Sequence, residues 1–116
     1  MPVLTEEELY SSEQYRATAS VSGSGDQTII AAPGAGKSIV ISSLVLQNES
    51  ATSTQMVLKA GSTAILRFLA HTQGMYLSKE YSPSRELKLP SNTALVLNLG
   101  GANACSYSIV YYLLGG

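Results

Sequence analysis

The chain has 116 residues, 45% of them hydrophobic and only 13% charged, with a net charge of −1. That length supports one modest core and no second domain. The apolar share excludes a disordered chain, which is poor in apolar residues and rich in charge, and the near-neutral balance excludes bulk attraction to nucleic acid or to a membrane surface.

Residues 1–25 carry no sustained apolar periodicity and read as an extended N-terminal arm. Thr5 followed by Glu8 matches a capping box and allows one helical turn over residues 6–10, too short to be stable alone. Residues 11–25 are rich in Ser, Ala, Thr and Gly, with Tyr10, Tyr15 and Val21 as the apolar handles by which the arm would dock. Five acids, Glu6, Glu7, Glu8, Glu13 and Asp26, face a single base, Arg16, in residues 1–26, whereas residues 27–116 hold six bases and three acids. An acidic arm thus precedes a mildly basic body, although totals this small also arise from ordinary surface scatter. The glutamate cluster would favour a basic patch on a partner.

From residue 26 the texture changes to short apolar segments separated by turn clusters, the pattern of a sandwich or barrel. Eight strands are predicted, over residues 27–32, 38–47, 53–60, 63–70, 75–80, 86–89, 93–99 and 105–114. In the second, Ile39 and Ile41 give way to Leu44 and Leu46 across Ser42-Ser43, a phase shift that predicts a bulge. Gly61-Ser62 predicts a tight turn. In the seventh, Leu95, Leu97 and Leu99 share one face. In the last, Tyr107, Ile109, Tyr111 and Leu113 fall on one face and Ser106, Ser108, Val110, Tyr112 and Leu114 on the other. Either this strand is central and buried on both faces, or its end at Tyr111, Tyr112 and Leu114 lies in a subunit interface, where tyrosine buries a ring while its hydroxyl finds a partner. Short turns and period-two patterning favour an antiparallel sandwich, with residues 26–116 as the domain.

Chemistry-bearing motifs are few. Ala31-Ala32-Pro33-Gly34-Ala35-Gly36-Lys37-Ser38 fits the loose form of a phosphate-binding loop. A real one joins a parallel strand to a helix, but here the following run, Ile39-Val40-Ile41-Ser42-Ser43-Leu44-Val45-Leu46, is β-branched. The only aspartate, Asp26, lies upstream. The motif therefore reads as a strand-to-strand turn of the hairpin kind. His71 is the only histidine and Cys105 the only cysteine, which leaves no zinc spacing and no intrachain disulfide. Cys105 reads as a small buried hydrophobe and His71 as a strand end. A Ser-His-Asp triad would have to draw on His71 and Asp26 without a nucleophile elbow. Tyr76, Tyr81 and Arg85 are candidates for a sugar-binding surface, or for edge tyrosines shielding a core. No catalytic residue, cofactor or metal is expected. The N-terminus opens on acids where a secretory leader would carry bases and then an apolar run, and no apolar run approaches the ~18 residues of a membrane span.

The order of Thr28-Ile29-Ile30-Ala31-Ala32, Gly36-Lys37, the run 39–46, the turn Leu58-Lys59-Ala60-Gly61-Ser62-Thr63, Leu95-Val96-Leu97-Asn98-Leu99 and the closing strand 107–112 resembles small β-sandwich proteins of tailed-bacteriophage virions. The resemblance covers about residues 26–114 and lies in texture and order. It implies an all-β, about eight-stranded antiparallel β-sandwich, jelly-roll-like, with the arm outside it. It further implies a non-enzymatic virion structural protein, a capsid decoration (cement) protein clamping neighbouring capsid subunits, with a head-fibre or tail component or a glycan-binding module as the alternative. The partner would be the major capsid protein or another virion protein. The protein would sit on the capsid surface after synthesis in the host cytoplasm. A symmetric homo-oligomer is expected, a trimer by the resemblance and a dimer as the runner-up. The arm residues Glu6, Glu7, Glu8, Tyr10, Tyr15 and Val21 would bind capsid or neighbour, and Tyr111, Tyr112 and Leu114 would form the oligomer interface.

Overall fold

The computed structural model describes residues 14–82 and 85–115, and every regular element among them is a β-strand. They are β1 (Tyr15–Val21), β2 (Gly25–Ile30), β3 (Lys37–Asn48), β4 (Thr54–Ala60), β5 (Thr63–Ala70), β6 (Tyr76–Glu80), β7 (Leu87–Lys88), β8 (Leu95–Leu99) and β9 (Cys105–Gly115). The eight expected strands are all present, with ends shifted by two residues at most, and β1 is a ninth.

Two antiparallel sheets form the sandwich. One runs β1-β9-β3-β6, with β7 also on β3, and the other β2-β8-β4-β5. Pairing is nested: β4 with β5, β3 with β6, β2 with β8 and β1 with β9. The chain is thus one long antiparallel ribbon whose tip is the Gly61-Ser62 turn. The ribbon is wrapped so that its rungs alternate between sheets, and β3–β9 and β4–β8 close them. This is the strand order of a jelly roll. Gly61 supplies the left-handed backbone at the tip (φ 60°), where a side chain would be strained.

The core follows from strand alternation. Ile39, Ile41, Leu44, Leu46, Met56, Leu58, Leu95, Leu97, Leu99 and Ile109 are fully buried between the sheets, each worth about 1.5–3 kcal/mol relative to exposure. Ile39 and Ile41 can share that interior with Leu44 and Leu46 because the β3–β9 register shifts between Ile41 and Ser43, the expected bulge. Ser42 Oγ donates to the Val110 carbonyl at 3.1 Å and holds it. In β9, Cys105, Tyr107 and Ile109 lie in the core and Tyr111 and Leu113 pack against it, as the alternation predicts.

Tyr15–Val21 falls inside the segment expected as an arm. Its seven residues pair without interruption against β9, from Tyr15 opposite Tyr111 to Val21 opposite Cys105, and Ala17 and Val21 pack on the core. Glu6, Glu7, Glu8 and Tyr10 lie outside the described residues.

At the end of the sandwich where β3 runs into the 49–53 loop sits a fully buried polar side chain, Asn48. Its Nδ2 reaches the carbonyls of Thr52, Ala70 and Thr72 at 3.0, 3.4 and 3.3 Å, and its Oδ1 accepts from the Ser50 N–H at 3.0 Å. Its backbone exchanges hydrogen bonds with the next loop, N–H to the Met75 carbonyl and carbonyl from the Gly74 N–H. One side chain therefore ties β3, the 49–53 loop and the β5–β6 connection together. Replacing it removes these hydrogen bonds, each worth about 0.5–1.5 kcal/mol net, and takes a donor from the buried Ala70 carbonyl. Asn48→Ala is expected to lower stability by roughly 2–4 kcal/mol in urea unfolding. A change below half a kilocalorie would show that solvent replaces the side chain freely.

Candidate functional site

The Walker-like stretch connects β2 in one sheet to β3 in the other. It is not a hairpin turn, because β2 pairs with β8 and β3 with β9, β6 and β7. Gly34 and Gly36 have positive φ, 108° and 81°, and Lys37 N–H closes the turn on the Gly34 carbonyl at 3.1 Å. In a phosphate-binding loop such amides point at the ligand. Here Gly34 N–H donates to Asn92 Oδ1 at 3.0 Å and Gly36 N–H to Ser91 Oγ at 3.2 Å, while the Lys37 carbonyl accepts from Asn92 N–H at 2.7 Å. The amides that would hold a phosphate instead clasp the 90–93 turn to the start of β3.

Other expected clusters are dispersed. Asp26 lies on β2 and His71 directly after β5, at opposite edges of a four-stranded sheet, about 14 Å apart by strand spacing alone. His71 N–H donates to Met75 Sδ at 3.3 Å. Tyr76 begins β6 opposite Gln47 and is 64% exposed, whereas Tyr81, beyond the other end of β6, packs against the core and bonds through its N–H to the Ser42 carbonyl. Burial raises the Tyr81 phenol above its ordinary value. The two tyrosines line no common surface. Cys105 is buried on the core face, and burial, then the Glu49 carboxylate, push its thiol up. It behaves as the small hydrophobe expected.

What the structure offers is faces and edges. On the outside of the β2-β8-β4-β5 sheet, Asp26 accepts from Asn98 Nδ2 at 2.7 Å and from Lys59 Nζ at 3.0 and 3.1 Å, the one ion pair among the described residues. The Asn98 hydrogen bond first, then Lys59, hold the Asp26 carboxyl below its ordinary 3.8. Sequence reading missed this cluster, whose members are 33 and 72 residues apart.

The outside of the β1-β9-β3-β6 sheet is different. Cross-strand rows run Ser20, Ser106, Gln47, Tyr76; then Thr18, Ser108, Val45, Ser78; then Arg16, Val110, Ser43, Glu80. Small hydroxyl side chains dominate, an exposed Val45 sits in the middle, and charges stand only at the margins. Thr18 and Ser108 share a hydroxyl hydrogen bond at 3.1 Å.

Of the expected interface residues, Tyr112 is only 3% exposed and Leu114 is half-buried. Tyr111 is half-buried on the inner face, its ring 5.5 Å from that of Tyr15. Tyr15 and Val21 thus meet their own domain, at Tyr111 and at the core.

No protein-family model matches the chain, and no curated protein matches it. Solved structures similar in shape at low identity include two from viruses. The first is the virus-like particle of extra small virus from the giant freshwater prawn Macrobrachium rosenbergii, with 12% identity, a TM-score of 0.47, and coverage of 97% of this chain and 83% of that one. The second is the tobacco streak virus coat protein, with 13% identity, a TM-score of 0.37, and coverage of 85% of each chain.

Two outcomes follow from this geometry. Lys37→Ala is expected to change stability by no more than about 0.5 kcal/mol, as exposed substitutions do, and calorimetric titration with ATP and magnesium should give no heat with either protein; saturable binding lost in the variant would reverse the assignment. A carboxylate with a depressed folded pKa contributes stability that is present above the unfolded value and lost as pH falls through the folded one. The melting-temperature gap between the wild type and Asp26→Asn should therefore be constant above about pH 5 and shrink as pH drops below about 4.

Proposed function

We propose that the chain is a non-enzymatic structural subunit of a virion, of the capsid-decoration kind, which binds an assembled shell and clamps neighbouring subunits. The observation that carries this reading is the outer face of the β1-β9-β3-β6 sheet, a plane of Ser, Thr and Val with charge only at its rim. Depletion of charge at the centre of a face is one trait of a surface meant to be covered, and the exposed Tyr76 at its margin is a second, while its serines are neutral to that reading. The chain as a whole is 13% charged, about half the roughly 25% usual for a soluble domain. The jelly-roll strand order agrees, being one that viral capsid domains use, though lectins and cupins use it too.

In this reading the segment before β1 reaches the shell. Glu6, Glu7 and Glu8 would meet a basic patch and Tyr10 an apolar pocket, while Tyr15 and Val21 anchor the segment's root to the sandwich. Binding along a repeated surface gives a homo-oligomeric arrangement set by the particle. A glycan-binding module or fibre component is the second reading, favoured by the exposed Tyr76; it would work without the N-terminal segment.

The test uses particles purified from a strain lacking this gene. The intact chain should bind them to saturation at a fixed ratio to the capsid subunit. A chain lacking residues 1–13 should keep its β circular dichroism and lose binding at least tenfold. The truncation stops there because residues 15–21 are β1. Undiminished decoration by the truncated chain, or no binding by the intact one, would overturn the proposal.

A further inference from the structure

Five strands lie at sheet edges, since β6 and β7 share the outer side of β3, and an unprotected edge invites pairing with another chain. Four of them carry the usual deterrents, β7 by being only two residues long. β2 is broken by a register shift between Thr28 and Ile30 and carries Asp26 as its second residue. β6 has five residues, ends in Lys79-Glu80, and carries the exposed Lys79 at the register position opposite the core residue Leu44. β5 is interrupted by a shift against Leu58 and Lys59. β1 has none of these: seven residues in unbroken register, no proline, no bulge and one charge, Arg16. Among the described residues it pairs on one side only, with β9.

We infer that β1 pairs antiparallel with β1 of a second copy of this chain about a twofold axis at Thr18, joining the two β1-β9-β3-β6 sheets into one continuous sheet across a dimer. The sequence of β1 is complementary to itself in that register. Thr18 meets Thr18, Ala17 meets Ala19, and Arg16 meets Ser20, so no like charges oppose each other directly. The inner-facing set Ala17, Ala19 and Val21 stays on one side and Arg16, Thr18 and Ser20 on the other, as the period of two requires.

Charge placement selects this occupant. Ser20 Oγ donates to Glu49 Oε1 at 2.9 Å, so a carboxylate is held beside β1. Arg16 has no ion-pair partner among the described residues. Directly opposed residues of antiparallel strands lie about 5 Å apart, which brings the Arg16 of each copy within side-chain reach of the Glu49 held on the other, twice across the axis. β5 offers no such match, since pairing about Phe68 would place Arg67 against Leu69, in a row continued by Gln55 without an acid. The inference is independent of the virion reading. It favours the twofold assembly over the threefold one that the sequence resemblance implies.

The full-length chain is expected to have twice its monomer mass in size-exclusion chromatography with light scattering at micromolar concentration. Like charges brought together across an interface cost several kilocalories, so Arg16→Glu should weaken the dimer by roughly a hundredfold, and Arg16→Glu with Glu49→Arg should restore it. Circular dichroism of each variant checks the fold. Thr18→Cys, directly on the axis, should form an intermolecular disulfide on mild oxidation, because opposed Cα atoms in a ladder fall within disulfide range. Ser20→Cys should not, since its own copy lies four residues further along the ladder. A monomeric or trimeric wild type, an Arg16→Glu protein with unchanged mass, or cross-linking of Ser20→Cys but not Thr18→Cys would overturn the inference.

Discussion

The phase change in β3 is the constraint on which this sandwich depends. β3 is the longest strand and is paired along its length to β9. Its two halves have opposite apolar phase, so a regular twelve-residue strand would turn either Ile39 and Ile41 or Leu44 and Leu46 to solvent. The extra residue, Ser42, removes the conflict, and its hydroxyl finds the Val110 carbonyl across the ladder, so the bulge buries no unpaired polar group. It also divides the strand's other edge, with β7 on Val40 and Ile41 and β6 from Ser43 to Gln47. The two half-strands thus fill a single core while serving different neighbours.

Much of this architecture is legible in the residues because burial on one face imposes alternation. Leu95, Leu97 and Leu99, or Tyr107 and Ile109, announce both a strand and its inner side, and the reversal across Ser42-Ser43 announces the bulge. β1 is illegible for the same physical reason: on an exposed edge, Tyr15-Arg16-Ala17-Thr18-Ala19-Ser20-Val21 buries little, so Ser, Ala and Thr suffice and the apolar period fades. Its strand character comes from β9, some ninety residues away. Asn48 gives no warning either. In sequence it is one more loop asparagine, and only the convergence of three carbonyls makes it a buried tie. Asp26, Asn98 and Lys59 are joined solely by the wrapping of the sheet.

The Walker-like turn shows how context governs a motif. Its glycines adopt the left-handed backbone that such loops need, and its amides do point toward oxygen. The oxygens belong to Asn92 and Ser91, however, and the next element is a strand with no helix terminus to favour an anion. The local grammar of a phosphate site is used to fasten two connections at one end of the sandwich. The molecule's distinctive surfaces lie elsewhere, on a hydroxyl-rich sheet face and along an edge strand that, among the described residues, pairs on one side only.

The nested ribbon also orders events during synthesis. Its tip, β4–β5, can close while the chain is still being made, since both strands lie within a short stretch. Of the nine described strands β1 is made first and its partner β9 last. Throughout elongation β1 therefore waits with both edges open, and nascent neighbours on one message offer it strands of the same sequence. The sparing use of large apolar residues in β1, which hid it from sequence reading, limits the apolar surface that the waiting segment exposes until β9 is made.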